Sequence, residues 1–516
     1  MSKTTRLILL FAIVKLLIPY LFIHPMYELH RDEYLYLSES DHLAWGYIEA
    51  PPLLSLLGYI SSLLGKSIAV VRFWSAFFGA LNIYLIGRLV QKLGGGMYAC
   101  LLTCLGFLLS GYLRMNILFQ PNFLELFFWT LNSYLVVRLI QTDCKKYLYL
   151  LGISFAFSIL SKYSAAFYIL SSIVAFLLTP LRKWFASKQL YYALLICSLI
   201  IAPNIIWQIN HNFPVATHMK LLTEQQLSYL SRSQFFADQL IMTLPSFFIW
   251  VAGFICLVAT KAGRKYFALI IIYTGIFTFL VVFKGKSYYT MGIYPPLYAF
   301  GGYYLEKLTK RVTLSNKIKR LVMPSIVVLL AIPMIPVALP FNTPEKMAPV
   351  YKALQLDHTG LLNWEDTVVH PIPQDFADML GWRQLTQKVT NVYTRLPDSV
   401  KSSTIIFTDN YGEASAVNFF RDKKVLPEAF SDDATFLFWL PESIFSKHVL
   451  LVNFKPRPTD DWVFGHFKSV QLMDSMTQPY AREEGVKIYY YSNADDSLKY
   501  AAENAIRQEK ASFNIR

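Results

Sequence analysis

Five carboxylates lie close together in an N-terminal half that is otherwise strongly apolar. The segment HRDEYLYLSESDHLAWGYIEAPP (residues 30–52) contains Asp32, Glu33, Glu39, Asp41 and Glu49. A carboxylate acts as a general base when it is ionised and held beside a substrate hydroxyl. Asp32 and Glu33 directly follow the first apolar run, so they are predicted near a membrane surface. A solvated loop with no chemical role is the alternative, and periodicity alone leaves both interpretations open.

Several basic residues also stand next to apolar runs. Lys162 lies in LSKYSA, Lys284 and Lys286 lie in FKGKSYY, and Arg72 and Arg114 lie near the ends of other runs. Cations near bilayer depth often mark functional sites, and several on one face would suit an anionic lipid headgroup, particularly a phosphate. Snorkelling of long side chains to the headgroups is the alternative, and it is the preferred interpretation for Arg72 taken alone.

Weaker signals come from two further segments. NIIWQINHNFPVATH carries His211 where the chain leaves an apolar run, and FQPNFLELFFW carries Glu125, a carboxylate that should face protein or water. His30 and His42, with the nearby acids, offer a divalent-cation site as an alternative. Because neither an i,i+4 histidine pair nor HExxH occurs, no metal ligands are assigned and no cofactor is firmly predicted.

The elements that must position these residues are predicted to be membrane helices. Of 516 residues, 54% are hydrophobic and 16% are charged, and the mean hydropathy is +0.37. Repeated long apolar runs are typical of a polytopic membrane protein. About eleven spans are predicted, near residues 7–23, 68–90, 97–113, 121–140, 147–161, 164–180, 189–208, 237–259, 266–283, 288–305 and 321–340. A short helix at residues 53–65 is predicted to lie in the interface.

The distribution of charge predicts orientation and domains. Residues 1–340 hold 29 Lys and Arg against 11 Asp and Glu, and residues 341–516 hold 19 against 23. The basic excess belongs to the membrane part and recurs in alternate loops, which places the N-terminus in the cytoplasm. This also removes the main argument for nucleic-acid binding. Residues 24–66 and 341–516 are then extracytoplasmic.

Residues 341–516 have the sequence pattern of a water-soluble α/β domain. Alternating stretches predict strands at residues 404–409, 448–454 and 487–492, with a helix at 413–420. The tail from about residue 494 is predicted as a final helix or a disordered end.

In the order of its features, the chain resembles the bacterial membrane glycosyltransferases of the GT-C fold. It is most similar to their protein mannosyltransferase-like group, glycosyltransferase family 39, which is related to the aminoarabinose transferase of lipid A. The resemblance covers nearly the whole chain. It rests on the acidic pair after the first span and on the segments LAWGYIEAPPLLSLL, LSKYSA, PNIIWQINHNFP, KSYYTMGIYPPLYAFGG, PQDFADMLGW and DNYGEASAVNFF.

The resemblance implies inverting transfer of a sugar from a polyprenyl-phosphate carrier to an acceptor, at the outer face of the cytoplasmic (inner) membrane. Asp32 matches the family's loop carboxylate and would be the general base, while Glu33 would orient the site or hold a cation. The residues implied to contact the donor phosphate, its sugar or its lipid are Lys162, Lys284, Lys286, Tyr288 and Tyr289, with Arg72, Arg114 and His211 as further candidates.

One position departs from the family pattern. Relatives often carry an acid where this chain reads FQPNFLE, and here Asn122 occupies the place, with Glu125 one helical turn further on. Asn cannot be an anionic base, so either Glu125 substitutes or that acid is dispensable. Asn122 still offers hydrogen bonds to an acceptor or a sugar.

Two other classes of function remain as alternatives. A lipid or glycan transporter or flippase would have internal repeats and charges at the bilayer midplane, whereas no repeat is visible and the candidate charges lie at one face. A non-catalytic envelope-assembly protein would leave the acids solvated. The sequence names neither the sugar nor the acceptor, which is lipid A, another glycan, a glycolipid or a protein.

Overall fold

The protein is mostly helical, with a small sheet near its C-terminus. The computed structural model describes residues 1–441, 446–453 and 464–513. The helices of ten or more residues in these ranges are α1 (Lys3–Phe22), α2 (Arg31–Asp41), α3 (Leu53–Leu63), α4 (Ile68–Lys92), α5 (Met97–Leu108), α6 (Pro121–Thr142), α7 (Lys146–Ser161), α8 (Ala165–Leu178), α9 (Lys188–Asn210), α10 (Pro214–Gln225), α11 (Arg232–Thr243), α12 (Phe247–Ala259), α13 (Ala268–Val282), α14 (Tyr294–Leu308), α15 (Leu314–Ala331), α16 (Pro344–Ala353), α17 (Trp382–Arg395), α18 (Tyr411–Phe420) and α19 (Ser497–Ser512).

Six helical segments of the described chain are long and apolar enough to cross a membrane. A bent pair, Ala165–Leu178 with Pro180–Ala186, turns by 100° and would make a seventh. The predicted count of about eleven is therefore not confirmed. The six segments are Lys3–Phe22, Ile68–Lys92, Pro121–Thr142, Lys188–Asn210, Arg232–Ala259 and Leu314–Ala338.

Helix length explains the difference in count. The apolar runs near residues 97–113, 147–161, 266–283 and 288–305 form α5, α7, α13 and α14, which have 12, 16, 15 and 15 residues. A helix needs about 20 residues to cross a hydrocarbon core of about 30 Å. Apolar composition is thus correctly read from these runs, but composition does not fix where a helix ends.

Glycines allow two of these helices to pack closely. A Cβ atom added at Gly253 of α12 would overlap the carbonyl of Leu297, and one added at Gly301 of α14 would overlap the carbonyl of Ile249. Small residues at a helix crossing let the two backbones approach closely. The resulting van der Waals packing favours helix association in lipid, where burial of apolar side chains brings no hydrophobic gain. The AFGG run that ends the KSYYTMGIYPPLYAFGG segment therefore has a packing role.

Residues 24–66 form a structured loop between α1 and α4. It contains α2, which carries the acidic pair, and α3, which matches the short helix predicted at residues 53–65. One face of α2 packs on the C-terminal part of the chain: the ring of Tyr34 lies 5.3 Å from that of Phe419 and 5.8 Å from that of Trp382, between centroids. The loop is therefore held between the helical bundle and the C-terminal region.

The C-terminal region contains a five-stranded mixed sheet. Its strands are β1 (Thr404–Thr408), β2 (Ala429–Phe430), β3 (His448–Asn453), β4 (Phe467–Ser475) and β5 (Lys487–Ala494), in the order β2-β1-β3-β5-β4. β1 pairs in parallel with β2 and β3, and β5 pairs antiparallel with β3 and β4. The three predicted strands are confirmed, except that Phe454 lies outside the described residues, and the tail forms α19. The division of the chain near residue 340 stays a prediction.

We expect Gly301→Ala to lower the thermal unfolding temperature of the detergent-solubilised protein by several degrees. The added methyl group would push α14 away from α12, and overpacking of this kind costs about 1–3 kcal/mol. Size-exclusion chromatography after heating measures the loss. Gly465→Ala is the matched control, because a Cβ there meets nothing within 4 Å. Equal unfolding temperatures for the two variants would contradict the role given to this crossing.

Candidate active site

Asp32 lies in the first turn of α2, where side chains from two distant parts of the chain hold its carboxylate. The hydroxyl of Tyr411 donates a 2.8 Å hydrogen bond to Oδ1, and Nε2 of Gln120 donates a 3.2 Å bond to Oδ2. The Asp32 side chain is 35% exposed. Each oxygen retains a further lone pair, so the carboxylate is oriented and still able to accept a proton from a substrate.

Glu33, the next residue of α2, is fully buried. Its Oε2 accepts a 2.5 Å hydrogen bond from the backbone N–H of His30, and its Oε1 accepts a 2.6 Å bond from that of Phe119. Burial raises the pKa of Glu33, and the two amide donors oppose this rise. Glu33 therefore fixes the start of α2, and its catalytic role stays a prediction.

His30 forms the N-cap of α2 beneath the candidate base. In the neutral ring, its Nδ1 accepts a 3.1 Å hydrogen bond from the backbone N–H of Asp32. Its Nε2 lies 3.4 Å from Oδ2 of Asp378 and 3.9 Å from Oδ1 of Asp375. Burial by itself lowers the pKa of this histidine, but the carboxylates of Asp32, Asp378 and Asp375 together raise it to about 9.

Lys162 is the centre of a second polar cluster, between α7 and α8. Its Nζ donates hydrogen bonds of 2.8 Å to Oδ1 of Asn122 and 2.9 Å to Oε2 of Glu125, and it lies 3.7 Å from the ring centroid of Tyr289. Glu125 also accepts a hydrogen bond from the hydroxyl of Ser164. The second site predicted from FQPNFLE is thus a lysine shared between an amide and a buried carboxylate.

Three more predicted residues face the same space. Lys286 has no hydrogen-bonding or ion-pairing partner for its ammonium among the described residues, and Tyr288 follows it on the helical turn Ser287–Ile293. Nε of Arg114 donates a 3.1 Å hydrogen bond to Oδ2 of Asp375, and its guanidinium lies 4.5 Å from the ring centroid of Phe376. Lys286 therefore retains its full set of donors for an anionic ligand.

A single cavity of about 1370 Å³ brings these groups together. Its wall combines carboxylates and cations with apolar side chains such as Phe167, Leu222 and Phe283. This composition fits a ligand with both a charged group and a hydrocarbon part. The predicted site residues that line it are Asp32, Arg114, Asn122, Lys162, Lys286, Tyr288 and Tyr289.

Other predicted residues lie elsewhere. Arg72 is buried in α4, where it donates hydrogen bonds of 2.8 and 2.6 Å to the carbonyls of Tyr27 and Glu28. Lys284 donates a 2.6 Å bond to the carbonyl of Ser228. His211 stacks on Trp207, with 4.1 Å between ring centroids. Like Glu33 and Glu125, these three are absent from the cavity wall.

The remaining acids of the opening segment are mostly structural. Glu39 is fully buried and accepts a 2.7 Å hydrogen bond from the hydroxyl of Ser55. Glu49 lines the cavity and accepts a hydrogen bond from the hydroxyl of Thr435. Burial raises the pKa of Glu49 to about 7, against the opposing effect of that hydroxyl. One part of the acidic cluster therefore faces the cavity, and another part holds the loop in place.

A divalent cation near Asp32 and Glu33 remains an untested alternative. No three His, Cys, Asp or Glu side chains of the described ranges are arranged to hold a metal ion. Asp32 contacts Gln120 and Tyr411, while both oxygens of Glu33 face backbone amides. Because the residues present do not form a ligand set, no step is assigned to a metal.

The chain is similar to known glycosyltransferases in part of its sequence and in its fold. Residues 49–207 match the family described as dolichyl-phosphate-mannose-protein mannosyltransferase. ArnT from Cupriavidus metallidurans, in a crystal structure bound to undecaprenyl phosphate, superposes with a TM-score of 0.61 at 14% identity, over 95% of this chain and 98% of that one. Its apo structure gives the same TM-score at 13% identity, with the same coverage of both chains. No curated protein sequence matches the chain.

Part of this chain thus matches a mannosyltransferase family, and its fold is similar to that of ArnT. The family match contains Glu49, Asn122, Lys162 and Trp207, and the shared fold extends over nearly the whole chain. Several apolar helices agree with a multi-pass membrane protein.

The candidate site also contains residues that no sequence pattern singled out. Gln120 and Tyr411 hold Asp32, and Asp375 pairs with Arg114. Tyr411 lies in DNYGEASAVNFF and Asp375 in PQDFADMLGW, the two outer segments quoted for the family resemblance. These segments were the available signal, but nothing in their composition indicates contacts with residues 379 and 261 positions earlier in the chain.

We expect the thermal stability of the protein to fall as pH rises from about 6.5 to 9. His30 has its pKa raised above the ordinary value, so its stabilising charge is complete below about pH 6.5 and is lost as pH passes through about 9. His30→Asn keeps an N-cap acceptor but removes the charge, and should lose this part of the pH dependence. Unfolding temperatures measured from pH 6 to 10 test this.

The matched control for this measurement is His358→Asn, because the His358 side chain is 80% exposed. It should follow the wild-type curve. If His30→Asn also follows that curve, His30 is not a stabilising imidazolium.

Proposed function

We propose that this protein is a glycosyltransferase of the GT-C class, which moves a sugar from a polyprenyl-phosphate donor to a hydroxyl of an envelope acceptor, with inversion at the anomeric carbon. The observation that carries the proposal is the single cavity lined by both the candidate base, Asp32, and the cations Lys162 and Lys286. The solved structure of ArnT with undecaprenyl phosphate supports this donor class, since the fold is shared. The acceptor is lipid A, another glycan, a glycolipid or a protein.

In the proposed reaction, Asp32 accepts the proton of the acceptor hydroxyl while the hydroxyl oxygen attacks the anomeric carbon of the donor sugar. Attack comes from the face opposite the phosphate, so the new glycosidic bond forms as the bond from carbon to phosphate oxygen breaks. The electron pair of that bond leaves with the lipid phosphate. Lys162 and Lys286 stabilise the negative charge that grows there. Tyr288 and Tyr289 flank the sugar or the start of the lipid.

The proposed location is the cytoplasmic (inner) membrane, with the N-terminus in the cytoplasm. Residues 24–66 and the C-terminal domain, residues 341–516, are then extracytoplasmic. The support is the basic excess of residues 1–340 and the acidic balance of residues 341–516. The site would open towards a donor whose hydrocarbon chain stays in the bilayer, so membrane lipid is a further contact.

We expect Asp32→Asn to reduce sugar transfer at least about 100-fold, the low end of what general-base catalysis contributes. The assay incubates the protein in membranes with radiolabelled polyprenyl-phosphate sugars and an extract of envelope acceptors. Asp41→Asn is the matched control, because Asp41 ends the same helix and pairs with Lys66 at 2.6 Å outside the cavity wall. It should retain transfer.

Each remaining outcome of this assay has a definite meaning. Equal transfer by wild type and Asp32→Asn would remove Asp32 from the chemistry and direct the search to Glu33 and Glu125. If wild type transfers no sugar from any donor, the proposed reaction fails and the transporter alternative gains support.

We also expect Lys286→Met to raise the KM for the donor about tenfold or more, and Lys284→Met to change it less than about twofold. Both lysines belong to FKGKSYY, but only Lys286 lines the cavity, whereas Lys284 contacts the carbonyl of Ser228. A charge-assisted hydrogen bond to phosphate is worth about 1.5–3 kcal/mol, which corresponds to at least a tenfold change. Equal effects of the two substitutions would show that position on the cavity wall does not decide donor binding.

A further inference from the structure

The C-terminal region supplies a side chain that touches the candidate base directly. Tyr411 begins α18, three residues after the end of β1. Its hydroxyl donates a 2.8 Å hydrogen bond to Oδ1 of Asp32, and both residues line the cavity. A residue of the mixed sheet's first βα connection therefore reaches the first turn of a helix 379 positions earlier in the chain.

The backbone around Tyr411 is fixed by its own helix cap. The side chain of Asn410 accepts hydrogen bonds of 2.9 Å from the N–H of Gly412 and 3.1 Å from that of Glu413. The hydroxyl of Thr408, at the end of β1, donates a 2.9 Å bond to the carbonyl of Asn410. An N-cap of this kind defines the direction in which the helix leaves its strand. The Tyr411 ring is therefore presented by a rigid strand–helix junction.

The ring of Tyr411 also packs against the residue that precedes Asp32. The guanidinium of Arg31 lies 4.4 Å from the ring centroid, within the range of a cation–π contact. A Cβ atom added at Gly412 would lie 2.6 Å from Cγ of Arg31, so only glycine leaves room for this approach. The Arg31 side chain thus packs between Tyr411 and Gly412, and this packing fixes the distance between α2 and α18.

We propose that Tyr411 is a positioning residue for the reaction, because its hydroxyl orients the Asp32 carboxylate. This inference rests on the proposed function, in which Asp32 is the general base. Oδ1 is held by Tyr411 and Oδ2 by Gln120, so the carboxylate has one orientation towards the cavity. The C-terminal region consequently completes the active site as well as covering it.

Several other charged or aromatic side chains lie near Asp32, and a test of Tyr411 must leave them unchanged. His30 lies with Nδ1 3.9 Å from Oδ2, and Arg31 and Tyr36 belong to the same helix, while Tyr288 approaches from the turn Ser287–Ile293. Tyr411→Phe removes a single hydroxyl and keeps the ring that packs on Arg31. The substitution therefore isolates the hydrogen bond to Asp32 from the packing of the two helices.

We expect Tyr411→Phe to lower the turnover of sugar transfer about 10- to 100-fold, the range of one hydrogen bond to a charged group, with little change in donor KM. Tyr393→Phe is the matched control, because the Tyr393 hydroxyl donates a 3.0 Å hydrogen bond to the carbonyl of Lys401, away from the cavity. An unchanged turnover in Tyr411→Phe would overturn the inference. Full transfer by Asp32→Asn, in contrast, overturns the proposed function.

Discussion

The architecture of the site depends on one buried carboxylate. Glu33 accepts hydrogen bonds from the backbone amides of His30 and Phe119, and so joins the start of α2 to the loop before α6. Both amides would otherwise be buried without an acceptor, which costs about 1–3 kcal/mol for each group. The same junction brings Gln120, the residue after Phe119, to the carboxylate of Asp32. The acid that does not face the cavity therefore decides where its neighbour points.

Three parts of the molecule contribute side chains to the cavity. The helical bundle supplies Lys162 and Lys286, the loop of residues 24–66 supplies Asp32, and the C-terminal region supplies Tyr411 and Asp375. Opposite charges are paired around the rim, as between Arg114 and Asp375 at 3.0 Å, while Lys286 remains without an ion-pair partner in the described ranges. Among the cations of the cavity wall, Lys286 is therefore available to an anionic ligand.

The sequence predicts a good part of this arrangement, and the limits have physical causes. Apolar runs, loop charges and alternating strands depend on local composition, so the helical bundle and the strands of the sheet follow from them. Helix ends do not, because they depend on distant contacts: α5 ends at Leu108, and the N–H of Gly111 then bonds to the carbonyl of Met242. Lys284 and Lys286 are the same residue type two positions apart, yet Lys284 contacts the carbonyl of Ser228 and Lys286 lines the cavity. Contacts such as Tyr411 with Asp32 depend on tertiary structure and leave no local pattern.

The neutral side chain of Asn122 has an electrostatic consequence. Lys162 is bonded to Asn122 and Glu125 together, so the three side chains carry no net formal charge. With an aspartate at position 122 the trio would be anionic, and it would repel an approaching phosphate at the cavity wall. Positions 122 and 125 therefore form an electrostatic pair in which only one acid balances the lysine. A second acid would have to be matched by another cation, so neither position can be assigned a role in isolation.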